Sequence, residues 1–535
     1  MTKKTRYIFI TGGVMSGLGK GILTVSVGKL LQAQGYTIEP LKIDPYLNID
    51  AGTMNPIEHG EVFVLDDGGE VDMDLGNYER FLGLSLSRKN NLTTGKIYKH
   101  VIDKERKGDY LGKTVQIIPH ITCAIQNWIT SLGKDKDFVL IEVGGTVGDI
   151  ESIPFLEAAR ELSVREDVYF IHLVLVPTLD VVGEQKTKPA QHSVRTLGEI
   201  GIKPNMVVCR SKNPIEARTR KKLALFCAVK EEKIISDHDS NIYELPLILK
   251  EQKVAEKILA NLDMKHNGSE LKDWKAFVSN LKCADRKITI AMTGKYMQLH
   301  DSYVSINEAL DHARAKFKCD IDIKFIETTD IENKTIDIKD ALKGIDALIV
   351  PGGFGSRGTE GKIECIRYAR ENNIPFLGLC LGFQLACVEF ARNICGLKDA
   401  ASTEINPKTE NPIIAIMEEQ KNIDSMGATM RLGAYPAVLR KGTIVEKLYG
   451  TDKVSERHRH RYEVNNRYVP TIENKGLFFS GKSPDGNLME FLELPEHPYF
   501  VATQAHPELK SKPLNPHPLF LGLVNAAIEK KGKKS

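Results

Sequence analysis

The sequence predicts an α/β protein made of two doubly wound domains, each built on a mainly parallel sheet. In each half of the chain, an apolar run of strand length ends in a glycine-containing turn that opens a helix. Tyr7–Thr11 precedes Gly12–Gly21 in the first half, and Pro375–Leu379 precedes Cys380 in the second. With 535 residues, the chain is also long for a single domain.

The predicted domain boundaries follow from composition. Residues 265–287 are polar apart from one amphipathic patch, Trp274–Leu281, so we predict a linker that holds a helix. Ile288–Met292 then opens a second strand–turn–helix series. We therefore predict domains at residues 1–264 and 288–535.

Composition excludes several classes of protein. Apolar residues make up 42% and charged residues 27% of the chain, as in ordinary globular domains, and a net charge of +3 gives no reason to expect nucleic acid or an anionic membrane as a partner. The basic run Arg457–Arg461 is too short to change that expectation. Nine cysteines without a C-x-x-C pair argue against a disulfide framework and a zinc site. We expect a cytoplasmic protein, because Met1–Lys4 leads directly into a strand without a signal peptide and no apolar run could span a bilayer.

The first glycine-rich turn has the form of a phosphate-binding loop. Its backbone N–H groups and the N-terminus of the helix behind it can hold phosphate oxygens, and Lys20 adds a positive charge. The motif is not a standard Walker A sequence, because its first glycine is displaced by one position and Gly21 stands where a Ser or Thr hydroxyl normally holds magnesium. A plain glycine turn is the alternative, but the position of the lysine favours nucleotide binding. Any metal must then find its oxygen ligands elsewhere.

Two acidic positions can supply those oxygens. Glu142 lies near the end of the strand that begins at Phe138, where parallel sheets place ligand groups. Acidic and apolar residues alternate in Glu70–Gly76, within which we expect Asp72 to face solvent or to serve the structure. Magnesium accepts one or two such carboxylates and completes its shell with phosphate and water.

A second candidate anion site lies further along the chain. Gly183–Gln191 contains two lysines and a threonine, and Lys222 lies on a helix that follows. By composition alone, a solvated loop remains the favoured interpretation of this segment.

Cys380 is a candidate nucleophile, because Gly378 and Gly382 bracket it at a corner between a strand and a helix. The glycines tolerate a strained backbone and the helix N-terminus stabilises a thiolate, although a buried and inert thiol is the alternative. Far downstream, His506 and Glu508 lie two apart on a segment that we predict to be extended. On one face of that segment, the carboxylate could orient the imidazole while the imidazole takes the thiol proton. A surface turn with an incidental His and Glu is the alternative there.

The strand and glycine turn at Ala347–Gly355 offer backbone N–H groups to a developing oxyanion. Together with the cysteine corner and the His–Glu pair, this segment resembles the class I, triad-type glutamine amidotransferases, which hydrolyse glutamine to glutamate and ammonia. The resemblance makes Cys380 the nucleophile, His506 the base and Glu508 its orienting partner. Ala505 departs from that family, which commonly has an aromatic residue before the histidine.

Over nearly the whole chain, from Tyr7 to about Leu523, the motifs resemble the CTP synthase family. The segments that carry this resemblance are Thr11–Gly21, Lys42–Tyr46, Asp72–Tyr78, Gly144–Ser152, Lys186–Gln191, the corner at Cys380 and Glu456–Asn465. The resemblance implies a P-loop-like synthetase domain followed by a class I glutamine amidotransferase domain. It also implies ATP-dependent amination of UTP to CTP, through a 4-phosphorylated UTP and with ammonia that reaches it from glutamine by an internal passage.

The resemblance further implies a role for individual residues. Those expected at ATP are Ser16, Gly17, Leu18, Gly19, Lys20, Gly21, Ile22, Lys42, Asp74 and Asp239, the last near the adenine. Those expected at UTP or CTP are Ser16, Asp149, Ile150, Glu151, Lys186, Thr187, Lys188, Pro189, Ala190, Gln191 and Lys222, with 149–151 on the cytosine side. Those expected at glutamine are Gly353, Leu381, Gly382, Phe383, Gln384, Glu404 and Arg461, and Asp74 and Glu142 are expected to bind Mg²⁺.

The same resemblance implies feedback inhibition by CTP, activation by GTP and a homotetramer, and it leaves filament formation open. One alternative is another ATP-dependent amidotransferase that acts on a carboxylate. Such an enzyme needs no second triphosphate site, so Lys186–Gln191 argues against it. The other alternative is a catalytically dead assembly protein, which would be expected to lack Lys20, Glu142, Cys380 or His506; all four are present.

Overall fold

The computed structural model describes residues 4–54, 60–179, 183–268, 270–294, 303–353, 355, 357–416 and 430–532. The chain forms two compact units, one of residues 1–53 and 71–275 and the other of residues 54–70 and 276–535. Each unit contains a large sheet with helices on both faces, so the predicted α/β class is confirmed. The domain boundaries at 264 and 288 stay a prediction. Phe354 of the predicted glycine turn lies outside the described residues.

The first unit is built on a parallel sheet of seven strands. In chain order they are β1 (Arg6–Gly12), β2 (Ile38–Asp44), β3 (Asn91–Thr93), β4 (Phe138–Val143), β5 (Val168–Leu175), β6 (Met206–Ser211) and β7 (Ile234–His238). Their order in the sheet is β7-β6-β5-β1-β4-β2-β3, and every neighbouring pair is parallel. The strands are almost continuously apolar and buried, as expected of a sheet that is covered on both faces.

Helices cover both faces of this sheet. They are α1 (Lys20–Ala33), α2 (Met73–Leu82), α3 (Thr94–Arg106), α4 (Thr122–Leu132), α5 (Ile153–Leu162), α6 (Lys188–Glu199), α7 (Ala217–Phe226), α8 (Leu245–Glu251) and α9 (Val254–Asn261). Phe9, Ile43 and Ile141 share one buried cluster with residues of α3, α4 and α5. Leu140 points to the other face, where a Cβ added at Gly28 of α1 would lie 2.8 Å from it.

The register of the sheet determines which residues meet at its carboxyl edge. Lys42 of β2 and Ile10 of β1 both pair with Glu142 of β4. The lysine and the glutamate therefore lie side by side at the same edge as the glycine-rich turn that follows β1. This edge is where open parallel sheets bind ligands.

The predicted linker contains one helix, α10 (Lys272–Lys282). Trp274 is buried in the first unit, where its ring centroid lies 5.0 Å from that of Phe81 and 5.8 Å from that of Tyr243. Its indole N–H donates to the Tyr243 carbonyl at 2.8 Å. The N-terminal turn of α10 is therefore packed against the first unit and is not a free linker.

The second unit is built on a mixed sheet of nine strands. These are β8 (Arg286–Gly294), β9 (Cys319–Glu327), β10 (Ala347–Val350), β11 (Phe376–Leu379), β14 (Arg431–Leu439), β15 (Lys453–His460), β17 (Phe478–Lys482), β18 (Met489–Glu493) and β19 (Phe500–Thr503), in the order β9-β8-β10-β11-β19-β18-β17-β14-β15. The first five strands of that order are parallel, and the rest pair antiparallel. A small sheet holds β12 (Ala401–Ser402), β13 (Pro412–Ile416) and β16 (Tyr462–Val464).

Two layers of helix enclose the parallel part of that sheet. The helices are α11 (Val304–Phe317), α12 (Thr328–Glu332), α13 (Ile338–Ala341), α14 (Thr359–Glu371), α15 (Leu381–Asn393), α16 (Ile444–Tyr449), α17 (Val469–Glu473) and α18 (Pro518–Gly532). Leu348 and Phe376 cluster with residues of α14 and α15, whereas the alternate residues Ile349 and Leu377 cluster with residues of α11 and α18. No helix of the described residues is long and apolar enough to cross a membrane.

One segment of the second unit comes from the N-terminal half of the chain. Residues 54–70 carry a tight turn in which Leu65 N–H donates to the Gly69 carbonyl at 2.9 Å, and Gly68 N–H donates to the Leu65 carbonyl at 3.0 Å. The segment is attached to β14 by a hydrogen bond of 2.9 Å from Ala434 N–H to the Asp66 carbonyl. No local sequence signal distinguishes this segment from a loop of the first unit.

The close approach of α12 to α14 at Gly361 gives a test of the packing. A Cβ at Gly361 would lie 2.0 Å from the backbone oxygen of Thr328, whereas a Cβ at Gly198, at an exposed position of α6, would meet nothing within 4 Å. Alanine in a helix gains up to about 1 kcal/mol over glycine, but overpacking costs about 1–3 kcal/mol. We expect Gly361→Ala to lower the melting temperature by several degrees and Gly198→Ala to leave it unchanged or raise it. Equal shifts in differential scanning calorimetry would contradict this packing.

Candidate active sites

The turn after β1 is shaped to hold anions. Gly17 and Gly19 have φ of 75° and 98°, in the left-handed region that favours glycine. Helix α1 starts directly behind Gly19 and has no side-chain cap there, so its first N–H groups point into the turn. Lys20 is buried and its ammonium donates to the Gly145 carbonyl at 2.7 Å. Burial lowers the pKa of Lys20 from its ordinary value.

A cluster of one lysine and three carboxylates lies beside this turn. The Lys42 ammonium donates to Asp74 and, at 2.7 Å, to Glu142 Oε1, and it lies 3.9 Å from Asp44 Oδ1. The Tyr78 hydroxyl donates to the other oxygen of Glu142. Burial disfavours the ammonium, yet Asp74 and Glu142 together raise the pKa of Lys42 well above its ordinary value. Burial, followed by the charge of Asp74, raises the pKa of Glu142, and burial raises that of Asp44 to about 7.

The structure explains the departure from the Walker A motif at Gly21. A Cβ added there would lie 2.3 Å from Asp74 Oδ1 and 3.4 Å from Glu142 Oε2. The space that a serine or threonine side chain would need is therefore taken by the two carboxylates. This donor set fits Mg²⁺, which prefers oxygen ligands and needs only one or two carboxylates when phosphates supply the rest. Within the described ranges, no cluster of three or more His, Cys, Asp or Glu side chains could hold a metal without such help.

Asp72 begins helix α2 beside this cluster. Its Oδ1 accepts from the Asp74 backbone N–H at 2.8 Å, so it is the N-cap of α2. The cap fixes the first turn of the helix on which Asp74 lies.

His172 is a site residue that sequence reasoning missed. It lies on β5, where Nδ1 is 2.8 Å from Thr11 Oγ1 and Nε2 is 2.7 Å from Ser193 Oγ on α6. Burial and the nearby charge of Lys20 lower its pKa to about 3, so the ring is neutral. It connects the strand before the phosphate loop to helix α6. A single polar residue inside the apolar run Phe170–Val176 was the available signal.

The structure places Ser193 of α6 close to the same loop. A Cβ at Gly13 would lie 1.5 Å from Ser193 Oγ, and Val147 N–H donates to the Gly12 carbonyl at 2.9 Å. The segment that carries Asp149, Ile150 and Glu151 is thus joined to the phosphate loop. Asp149 Oδ2 accepts from the Thr146 backbone N–H at 2.7 Å, and Ile150 and Glu151 are exposed.

The other predicted nucleotide residues have contacts at several places in the first unit. Lys188 and Gln191 line a cavity of about 700 Å³ that also contains His192, Arg195 and Lys203. Gln191 donates to Thr187 Oγ1 at 2.9 Å, while Pro189 and Ala190 form the first turn of α6. Lys186 pairs with Glu184 at 2.6 Å and Asp239 with Arg210 at 2.9 Å. Leu18 is buried and Ile22 half-buried, whereas Ser16 and Lys222 are exposed, and the charge of Lys222 acts on Glu184.

The second site is built around a strained corner at Cys380. The residue has φ 49° and ψ −97° and connects β11 to α15, with its N–H donating to the Thr503 carbonyl at 2.8 Å. A Cβ at Gly382 would lie 2.1 Å from the Val350 oxygen, and one at Gly378 would lie 2.8 Å from Ala502 Cβ. Only glycine fits at positions 378 and 382. The close packing that these glycines permit holds Cys380, a non-glycine residue, at a strained backbone angle.

His506 and Glu508 face this corner. His506 Nδ1 is 2.7 Å from Glu508 Oε1, and a Cβ at Gly352 would lie 2.8 Å from His506 Cε1 and 3.6 Å from Cys380 Cβ. Although burial favours the neutral ring, Glu508 and then Cys380 raise the pKa of His506 well above its ordinary value. The prediction of an extended segment is wrong, because Pro507–Lys510 forms a 3₁₀ helix with Pro507 in its first turn. Ala505 is fully buried.

A cavity of about 320 Å³ opens beside Cys380. It is lined by Gly353, Cys380, Leu381, Gln384, Glu404, Met430, His460, Arg461 and Tyr462. Of the residues expected at glutamine, Gly382 and Phe383 are not part of this lining: the first packs against Val350 and the second against Phe479. Met430, His460 and Tyr462 were not predicted, although two of them flank Arg461 in the sequence.

Comparison with known proteins gives consistent results for both units. Residues 6–264 match the family described as CTP synthase N-terminus, and residues 298–526 match the family described as glutamine amidotransferase class-I. The CTP synthase of Thermococcus gammatolerans is 54% identical over 532 residues, which covers 98% of this chain and 99% of the relative. That of Methanocaldococcus jannaschii is 52% identical over 539 residues and covers 99% of this chain and all of the relative.

A solved structure, the glutaminase domain of Trypanosoma brucei CTPS with bound acivicin, is 37% identical and covers 45% of this chain and 94% of that one, with a TM-score of 0.43. The full-length identities are high enough to show the family without it. The chain belongs to the CTP synthase family, whose members are ligases that make CTP from UTP with nitrogen from glutamine.

Proposed function

We propose that this chain makes CTP in three steps that two separate sites share. Cys380, His506 and Glu508 release ammonia from glutamine. The phosphate loop with Lys20 and Lys42 directs ATP to phosphorylate O4 of UTP. Ammonia then forms a bond to C4 of the pyrimidine as the C4–O bond breaks and inorganic phosphate leaves. The phosphorylation is needed because hydroxide is a poor leaving group and phosphate is a good one.

The observation that carries the glutamine step is the charge pattern of the cavity beside Cys380. Glu404 and Arg461 both line it, and they match the ammonium and carboxylate of an α-amino acid. We propose that these two groups hold glutamine with its side-chain amide at the thiol. His506, oriented by Glu508, takes the thiol proton and later gives a proton to the departing ammonia. The N–H groups of Gly353 and Leu381 are then candidates to bind the oxyanion.

The phosphoryl step depends on positive charge at the edge of the first sheet. We propose that Lys20 binds the ATP phosphates and that Lys42 neutralises charge on the transferred group. Asp74 and Glu142 would hold Mg²⁺, which would neutralise phosphate charge when bound. Lys42 now lies between these two carboxylates, so its ammonium is close to where a cation is needed. Held in line, the γ-phosphate and O4 gain the advantage of proximity, which is worth up to several kcal/mol.

Ammonia has to reach C4 unprotonated, because ammonium is no nucleophile. We propose that it travels inside the protein by a passage closed to bulk water.

We also propose feedback by CTP at the UTP triphosphate site, activation by GTP, a homotetramer and a cytoplasmic location. The last is supported by nine cysteines that form no disulfide, since a reducing compartment keeps thiols free.

The first test separates the two nitrogen sources. Cys380→Ala should lower glutamine-dependent CTP formation at least about 1,000-fold, because the covalent step is lost. With ammonium chloride it should stay near the wild-type rate, and should rise with pH as free ammonia increases. Initial rates would be measured by absorbance with each nitrogen source, and Cys283→Ala, at an exposed thiol, is the matched control. Loss of both activities on folded protein would show that the sites are not separable.

A second test addresses the metal. Glu142→Ala should abolish CTP formation with either nitrogen source, because a ligand and a partner of Lys42 are lost, while glutamate release from glutamine remains detectable. Glu157→Ala, at a half-buried pair with Arg160, should leave both reactions intact. Both rates would be measured over a magnesium titration. Normal synthesis by Glu142→Ala at ordinary magnesium would rule out the assignment.

A third test addresses feedback. If CTP and UTP share the triphosphate site but place their bases differently, Glu151→Ala should weaken inhibition by CTP more than it raises the KM for UTP. The CTP inhibition constant and the UTP KM would be determined in the same ammonia-dependent assay. Equal changes in the two constants would mean that the separate base pocket has been misplaced.

A further inference from the structure

Strand β15 contacts both the base and the nucleophile of the glutamine site through its backbone. The Arg457 carbonyl accepts from the His506 N–H at 2.7 Å. Two residues on, the Arg459 carbonyl lies 3.9 Å from Cys380 Sγ. Any movement of this strand would therefore shift the two reacting groups relative to each other.

The side chains of these two arginines reach the segment 54–70. Arg457 Nε donates to Asp66 Oδ1 at 2.6 Å, and Arg459 Nε donates to Glu70 Oε1 at 2.8 Å. Arg457 also donates from Nη1 to the Leu509 carbonyl at 3.3 Å. Arg457 thus contacts the turn 506–509 at both ends, through its carbonyl at His506 and through its guanidinium at Leu509.

The Asp66 segment is itself fixed in place. The Asp66 carbonyl accepts a hydrogen bond from the Ala434 N–H. A Cβ at Gly433 would lie 2.6 Å from the same carbonyl oxygen, so β14 approaches the segment closely. The guanidinium of Arg457 lies 5.3 Å from the centre of the Phe63 ring. Glu61 Oε2 accepts from the Ser305 N–H at 2.7 Å. The segment is therefore able to hold the arginine in one position.

Charge pairing makes the Asp66 contact energetically important. Arg457 is 1% exposed, so its guanidinium is cut off from water and needs a counter-charge. Burial opposes ionisation of Asp66, but the hydrogen bond and charge of Arg457 hold its pKa below the usual value. Lys510 approaches the same oxygen only to 3.8 Å and donates to the Ser455 carbonyl at 2.5 Å, so it does not replace Arg457.

We propose that Asp66 is a positioning residue for glutamine hydrolysis, which acts through Arg457 to hold His506 and Glu508 in place beside Cys380. This inference rests on the proposed triad. It makes a short segment from the N-terminal half of the chain necessary for full activity of the C-terminal site. Glu70 with Arg459 is the corresponding pair behind Cys380.

The test is Asp66→Asn, which keeps the shape of the side chain and removes its charge. The matched control is Asp67→Asn in the same turn, where the carboxylate accepts from Gly69 N–H at 3.1 Å. A misplacement of about 1 Å costs about 100-fold in rate. We expect kcat for glutamate release by Asp66→Asn to fall about 100-fold with the KM for glutamine changed less than about threefold, because Glu404 and Arg461 remain. Ammonia-dependent CTP formation should stay within twofold, and Asp66→Glu should recover part of kcat.

Three results would overturn the inference: wild-type kcat in Asp66→Asn, a rise in KM with kcat unchanged, or a parallel loss of the ammonia-dependent reaction. The rate of Cys380 alkylation by iodoacetamide, read by mass spectrometry, gives a readout that does not need turnover and should fall with kcat. If the melting temperature of Asp66→Asn is too low for assay, the kcat of Asp66→Glu is the deciding measurement, because this variant keeps the charge and changes only the length of the side chain. Absence of glutamate release from the wild-type enzyme would instead refute the proposed function.

Discussion

The contact between Lys42 and Glu142 is the interaction on which the first site depends. Parallel pairing of β2 with β4 puts the two residues side by side, and both are buried. Neither charge could remain there alone, because desolvating a single ion costs several kcal/mol. Asp74 joins them from the capped N-terminus of α2, and Gly21 leaves the room that Asp74 needs. The register of β2 with β4, the N-cap of α2 and the small size of Gly21 therefore all position one cluster of charges at the edge of the sheet.

The second site depends on a backbone constraint instead of a charge. Cys380 is held at φ 49° by close approaches on both sides, which only glycine at 378 and 382 permits. The corner holds Cys380 close to His506. Strain of this kind persists only where the surrounding structure enforces it, and here strands β10 and β19 do so.

Much of this could be predicted from sequence because the informative signals are local. A strand, a glycine turn and a helix are contiguous, so the phosphate loop, the Cys380 corner and Glu142 could be found by pattern. The placement of residues 54–70 in the second unit could not, since Asp66 and Arg457 are 391 positions apart in the chain and no periodicity relates them. The backbone of 507–510 was also mispredicted, because the effect of Pro507 on the turn outweighs the extended pattern around it. His460 was missed as a cavity residue because its role depends on which face of β15 is buried.

The buried face of β15 also affects the charge of the cavity beside Cys380. His460 lines the cavity, and its Nε2 is 2.9 Å from Nδ1 of His458, while Arg431 is bound by Glu463 and Glu490 at 3.0 and 2.9 Å. Burial, and then Arg431 nearby, lowers the pKa of His460 well below its ordinary value. The ring is neutral at physiological pH, and the two glutamates compensate the buried guanidinium. Among the lining residues, Glu404 and Arg461 are then the pair left to carry opposite charges, which suits a zwitterionic amino acid and disfavours a ligand with net charge. A protonated His460 would add a second positive charge beside Arg461 and would weaken that match.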